Sequence, residues 1–484
     1  MDRGCPGSHT PRQASGRGTL LLPAPTQAGG RIWTLKGGVL NIEGVLEEGL
    51  RLKGVDVVEL VAVRQREELT RFTGGRIHQN VATEGVVLYA RAWVEGRFGV
   101  AETNDLSPGG LKEALRQAAR IARAQGSPAG YWPPEPKPIA AVAADDEATW
   151  AATPEERAAL VARAVKEPNS LGFNASGSLS TGGMEVWVLS SKGVEAHHRG
   201  SQARFITVIT GRKQGSGYAE FSSTSLSDLR PEEVASRALK KAADSENRIP
   251  IEPGEYTVVL EPPAVATLLG MLSYMGFSAR AVLEGRSFLC DRFGERLVSE
   301  LVTVYDDGLD ERTLPLPFDF EGMPKKRVYF FRGGVAEGVV HDCRTAALMG
   351  AESTGHALPP PYSTYSPMPM HIVLAPGGAT LEELIAGVEQ GLLVTRFHYA
   401  RAVDPRRAMM TMMTRDGTFL IQDGKITQAV EDLRVTESGL RALAGVEAVG
   451  RDPSLITGGE GFGGYLVPPL RIARFTFTGR TERV

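Results

Sequence analysis

The stretch DLSPGGLKEALRQAARIARA, residues 105–124, is echoed further along the chain by DLRPEEVASRALKKAADS, residues 228–245. Asp105-Leu106-Ser107-Pro108 and Asp228-Leu229-Arg230-Pro231 stand 123 residues apart, and each closes a segment of the same texture. The first segment reads as a helix, IEGVLEEGLRLKG, then strands VDVVELVAVRQREELTRF, GRIHQNVATE and GVVLYARAWVEGRFGVAETN. The second opens with TPEERAALVARAVKE, where Thr153 caps, Pro154 takes the first helical position and Glu156 completes a capping box. Strands MEVWVLSSKG, VEAHHRG and SQARFITVITGRKQGSGYAEFSST follow. A repeated element order with little shared identity predicts a duplicated α+β unit, antiparallel strands with helices packed on one side.

Outward from the repeat, AQGSPAGYWPPEPKPIAAVAADDEATW is rich in Pro and Ala and reads as a linker between the copies. Beyond Asn247 the texture turns to short strands and turns, with a capped helix at TLEELIAGVEQG, where Glu383 follows Thr380 by three. The chain is therefore read as an extension at 1–37, disordered or preceding the true start, with the folded protein beginning near Gly38. An α+β domain at 38–125, a linker at 126–152, a second α+β domain at 153–247 and a mostly β domain at 248–484 follow.

Of 484 residues, 42% are apolar and 23% charged, with net charge −3, an ordinary globular composition with no basic footprint for nucleic acid. Cys5, Cys290 and Cys343 are too few and scattered for a disulfide framework, which points to a reducing compartment. No run approaches the ~20 apolar residues of a membrane helix. The apolar core of TLLLPAP falls short of the ~7 residues a signal peptide needs. A cytoplasmic location is expected.

Read as chemistry, the residues offer weak sets. His341 and Cys343, two apart and on one face if extended, could join His356 and Cys290 around zinc, but no close ligand pair anchors them. His197 and His198 are adjacent, so on a strand one points in and one out. ITGGEGFGG lacks the Lys-Ser/Thr of a phosphate loop. Asp306, Asp307, Asp310 and Glu311 read most simply as a solvated turn, with a cation site as the alternative. No catalytic set stands out.

The segments GEYTVVLEP, RFGERLVSELVTVYDDG, EGMPKKRVYFFRGGVAEGVVHD, GAESTGHA, HIVLAPGGATLEELIAGVEQGLLVT and GTFLIQDGKITQAVEDLRVT, in this order, resemble the TldD/PmbA (TldE) family of metallopeptidase-related proteins. FTGGRIHQNVATEGVVLYARAWVEGRFGVAETNDL resembles the family's first domain, so the likeness runs from about residue 40 onward. The resemblance implies a site to look for: in TldD-type members a His-Glu-x-x-x-His helix follows a VVL strand and a nine-residue spacer, with a cysteine ligand near the C-terminus. Here Val258-Val259-Leu260 and EPPAVATLL lead to Gly270 and Met275 at the histidine positions and Met271 at the glutamate. Thr457 stands at the cysteine's place.

Thioether, glycine and hydroxyl do not replace imidazole, thiolate and carboxylate at a hydrolytic metal. The stretch TLLGMLSYMG, residues 267–276, is accordingly expected to be packed core. The resemblance then implies the PmbA/TldE-type branch: no catalytic residue, metal or cofactor in this chain, and a TldD-type partner chain carrying zinc. The two together would cleave unstructured peptides, in leader removal or degradation of small unfolded proteins. A stand-alone peptide-binding regulator, of the kind behind the family's gyrase-modulator label, and a peptidase using another metal site are the rival readings.

Overall fold

The computed structural model describes residues 49–213, 215–363, 365–457 and 463–480, and the backbone of short strands Leu20–Leu21, Ile32–Leu35 and Gly38–Asn41. The rest of the 1–37 extension and most of the expected opening helix lie outside the described residues.

The echo quoted first is a structural repeat. Strands β1 (Val55–Thr73), β2 (Arg76–Val94) and β3 (Arg97–Thr103) form an antiparallel meander, followed by helix α1 (Pro108–Ala124). After α2 (Glu147–Ala151) and α3 (Pro154–Ser170), β4 (Asn174–Ser190), β5 (Glu195–Thr210), β6 (Ser216–Ser223) and helix α4 (Pro231–Asp244) repeat the pattern. The two meanders share one sheet, β3-β2-β1-β4-β5-β6, because β1 pairs antiparallel with β4 from Glu59↔Ser190 to Phe72↔Gly177.

One glycine in each copy lets the closing helix approach. A Cβ at Gly99 would stand 2.2 Å from the Ala118 carbonyl oxygen of α1, and one at Gly217 2.0 Å from that of Ala238 in α4. Small residues on both sides bring helix backbone directly onto strand backbone.

Two expectations change in detail. GRIHQNVATE and GVVLYARAWV are a single strand, β2, whose first half is exposed and lacks the alternation that marks a buried face. The Pro- and Ala-rich stretch runs along the sheet: Ser201 N–H of β5 donates to the Ala144 carbonyl at 2.8 Å, and Trp150 of α2 is buried. The capping boxes of Thr153 with Glu156 and of Thr380 with Glu383 form as read.

The C-terminal part is mostly β. A seven-stranded sheet contains β7 (Gly254–Leu260) between the strands Gln390–Asp404 (parallel) and Leu470–Arg480 (antiparallel). A six-stranded sheet contains Val304–Asp306, His371–Leu374, Ser454–Ile456 and Gly464–Val467. Helix α5 (Pro262–Gly276) starts on two prolines, which suit its first turn, and packs into the large core beneath β7. The outer face of the N-terminal sheet closes on this part through Val61, Tyr89, Val186 and Val188 against Leu316, Phe318 and Phe320. The fold is α+β throughout.

Candidate functional site

Helix α5 carries three of the four positions singled out. Leu268, Leu269, Leu272 and Met275 are fully buried, but Met271 is only half-buried and Tyr274 is 48% exposed. The stretch is core on one face only, with Thr267, Gly270, Met271 and Tyr274 along its open flank. A string without acid, base or histidine hides that distinction, because its polarity varies little around the helix.

The fourth position lies close by through one side chain. Ile456 pairs with Tyr465 across adjacent strands, and the Tyr465 hydroxyl is 3.0 Å from where a Cβ on Gly270 would stand. Tyr465 thus fills the space that a side chain at 270 would need, and burial pushes its hydroxyl up to about 12. Thr457, next along the strand end, is buried and shares a hydrogen bond with Ser222 of β6 at 2.9 Å. It also accepts one from Gln202 of β5 at 3.3 Å. Tyr465 thus links Gly270 and Thr457 where α5, the six-stranded sheet and the second copy meet, and none of the four positions supplies an imidazole, thiolate or carboxylate. Such a set does not fit a hydrolytic zinc ion.

The weaker sets fall apart or change character. Cys343 opens the helix Cys343–Met349, capped by Asp342, so His341 and Cys343 share no strand face. Cys290 sits in a turn with its thiol toward the Val282 carbonyl, and His356 is buried elsewhere. Among the described residues no three His, Cys, Asp or Glu groups could hold a metal. Gly458–Gly461 and Phe462 of the glycine-rich loop lie outside the described residues.

His197 and His198 do point opposite ways: His197 stacks on Trp187 at 5.1 Å and bonds Glu185, while His198 is buried.

The acidic turn is the clearest correction. Asp306 and Asp307 are buried, not solvated. Asp306 accepts from His356 Nε2 at 2.8 Å and from the N–H groups of Met370 and His371 at 2.7 Å each. Burial alone would raise its carboxyl, but the hydrogen bond from His356 and the nearby Lys325 charge hold it well below the usual range. Asp307 pairs with Arg327, Asp310 with Arg312, and Glu311 accepts from Ala143 N–H. Consecutive acids signal solvent only when no cation or N–H reaches them, and the partners here come from distant chain.

A second buried acid group joins the first copy to the C-terminal part. Arg91 of β2 donates to Glu59 of β1 and to the Phe320 carbonyl, both at 2.6 Å. Beside it, burial and the charges of Asp319 and Asp342 push Glu321 up to about 8. Burial also raises Asp319, to about 6, although it accepts N–H bonds from Glu321, Met323 and Ala357.

Family models described as PmbA/TldA metallopeptidase domain 1, central domain and C-terminal domain match residues 58–122, 133–246 and 253–479. This chain belongs to the PmbA/TldD family.

Its relatives include a metalloprotease of Methanocaldococcus jannaschii, 26% identical over 245 residues that make up 49% of this chain and 54% of that protein. A metalloprotease TldD homolog of Haemophilus influenzae is 27% identical over 263 residues, 52% of this chain and 54% of the relative. The chain spans about half the length of the curated relatives it matches. In fold it is similar to TldE of Thermococcus kodakarensis, with a TM-score of 0.80 at 23% identity over 90% of this chain and 100% of that one. A Thermotoga maritima protein bearing the name modulator of a DNA gyrase gives 0.79 at 18% identity, covering 90% of this chain and all of that one. At these identities the likeness is one of fold.

Proposed function

We propose that this chain is the non-catalytic, PmbA/TldE-type member of a two-chain cytoplasmic metallopeptidase acting on unstructured peptides. A TldD-type partner supplies the zinc and the glutamate base. One observation carries the reading: at the positions where relatives of the TldD type place their ligands and base, this chain has Gly270, Met271, Met275 and Thr457. The Tyr465 hydroxyl closes on the first of them. A bound metal lowers the pKa of water from 15.7 to about 7, and nothing in this set can hold a metal to do so. What this chain brings is a fold of the same family, which suits it to pair with a near-copy of itself across a large interface. Such an interface should exceed ~2,000 Å² of total buried area.

The test mixes the purified chain with a TldD-type chain carrying His-Glu-x-x-x-His and measures cleavage of an unfolded peptide across a size-exclusion peak. Activity is expected to follow the mixed species, with zinc near one per pair and none stoichiometric in this chain alone. Activity that follows the TldD-type chain and is indifferent to this one overturns the reading in favour of a stand-alone regulator. Zinc and cleavage in this chain alone favour the other rival.

A further inference from the structure

Two histidines from distant parts of the chain are tied to neighbouring carbonyls at one cavity. His371 Nε2 donates to the Leu314 carbonyl at 2.9 Å, and the His198 ring lies beside the Pro315 carbonyl, which favours its protonated form. A nitrogen that donates to a carbonyl carries the proton, so Nδ1 of His371 is a bare lone pair. His371 Nδ1 and His198 Nε2 are both buried without a hydrogen-bond partner among the described residues. His371 is fully buried and His198 nearly so. Burial pushes His371 down to about 3 and His198 to about 4, so both rings stay neutral acceptors at physiological pH.

Both rings line a cavity of about 70 Å³ between the sheet and the C-terminal part. Its sheet side includes Gly182, Gly183 and Gly200, where no side chain stands in the way. The volume suits on the order of five waters or heavy atoms. The cavity meets a wider groove of about 490 Å³, the two sharing Gln65 and Glu67. The groove wall is Tyr89, Pro359, Pro361 and Tyr362. Glu67 is exposed and carries no ion pair among the described residues, whereas its neighbour Arg66 is committed to Glu68.

Two buried acceptors and a free carboxylate at the mouth leave donors and positive charge as the missing complement. We propose that this cavity is a recognition site for a primary ammonium carried on an extended peptide, a lysine side chain, with His198, His371 and Glu67 as acceptors. The lysine stem and ammonium together number five heavy atoms, which fits the cavity, and the peptide backbone lies in the adjoining groove. The site deepens the peptide-handling reading above by naming what this chain selects.

The test uses the isolated full chain. Nα-acetyl-lysine N-methylamide presents a side-chain ammonium, alanine N-methylamide an α-ammonium, and Nα,Nε-diacetyl-lysine N-methylamide no charge. Binding is followed by calorimetry and by the imidazole nitrogen resonances of His198 and His371. The lysine probe is expected to bind saturably and move both resonances, with the diacetylated probe inert. Loss of one charge-assisted hydrogen bond in Glu67→Gln should weaken binding roughly ten-fold or more. His198→Phe should abolish it; if that variant fails to fold, the exposed Glu67→Gln decides. Binding of the alanine probe in place of the lysine probe keeps the ammonium chemistry and moves its source to a peptide amino terminus. No binding of either probe, equal binding of the diacetylated control, or Glu67→Gln binding as tightly as the native chain overturns the proposal. Because no partner chain is present, these outcomes are independent of whether the two-chain peptidase forms.

Discussion

The two copies of the N-terminal unit meet the C-terminal part through seams of different chemistry. The first copy offers charge: Arg91 and Glu59, facing Asp319 and Glu321. The second offers neutral groups around the cavity, Ser222 and Gln202 on Thr457, and places an ion pair with that part, Lys241 of α4 with Glu261, apart from them. Duplication supplied the same sheet and helix twice, as the matched Gly99 and Gly217 contacts show. The polar residues facing outward from that scaffold then differ completely. The charged seam serves to lock the parts together and is sensitive to protons. The neutral seam keeps a cavity, and its histidines stay uncharged across the physiological range.

The largest effect should come from breaking the charged seam. Arg91→Met leaves Glu59, fully buried, without its cation, and should cost about 3–5 kcal/mol in urea unfolding. A loss below 1 kcal/mol would mean that the seam is not what holds the first copy down.

Next, protons should separate the seams. A carboxyl raised to about 8 in the folded state, against 4.5 when unfolded, favours folding at low pH. Its contribution is lost as pH rises between those values. Glu321→Gln, whose amide oxygen can still accept from Cys343 N–H, should therefore match the native chain at pH 5. At pH 8 it should be more stable, by on the order of 1–2 kcal/mol after allowance for partial exposure. Thermal unfolding at the two pH values checks this, and a variant equally displaced at both would place the proton elsewhere.

The smallest effect belongs to the neutral seam. Thr457→Val removes both hydrogen bonds from a buried threonine of nearly the same shape and should cost about 1 kcal/mol, equally at pH 5 and pH 8. A pH-dependent loss would show that charge reaches this side as well.

How much of this was legible beforehand follows from where the information resides. The duplicated unit and its capping boxes are local patterns that survive divergence, so the α+β class could be read from Asp105-Leu106-Ser107-Pro108 and its echo. The family resemblance led to Gly270, Met271 and Met275 by counting from Val258-Val259-Leu260 and to Thr457 through the separate stretch ITGGEGFGG, but not to Tyr465 closing the gap. Met271 was expected in the core and lies on the half-open flank of α5, because a run without charged residues gives little phase to the helix. The burial of Asp306 depends on Met370, His371 and His356, which its neighbours in sequence do not foretell. The meeting of His198 with His371 at one cavity is of the same kind, since their strands lie far apart in sequence and neither carries a ligand-like spacing toward the other. The residues between them, Leu314-Pro315, are an ordinary apolar pair.

The join between β1 and β4 also governs how the chain is made. The strand at the centre of the sheet finds its second neighbour more than one hundred residues later, with Glu59 opposite Ser190. During synthesis the first hairpin can close as soon as β2 emerges, but the far edge of β1 stays open until β4 follows. Open strand edges recruit other chains, and contacts so distant in sequence form slowly. A nascent chain released after Trp150 should therefore aggregate under conditions in which the full chain stays dispersed, and adding residues up to Ser190 should begin to cure it. The order of translation thus sets a window in which the unpaired edge of β1 is open to other chains.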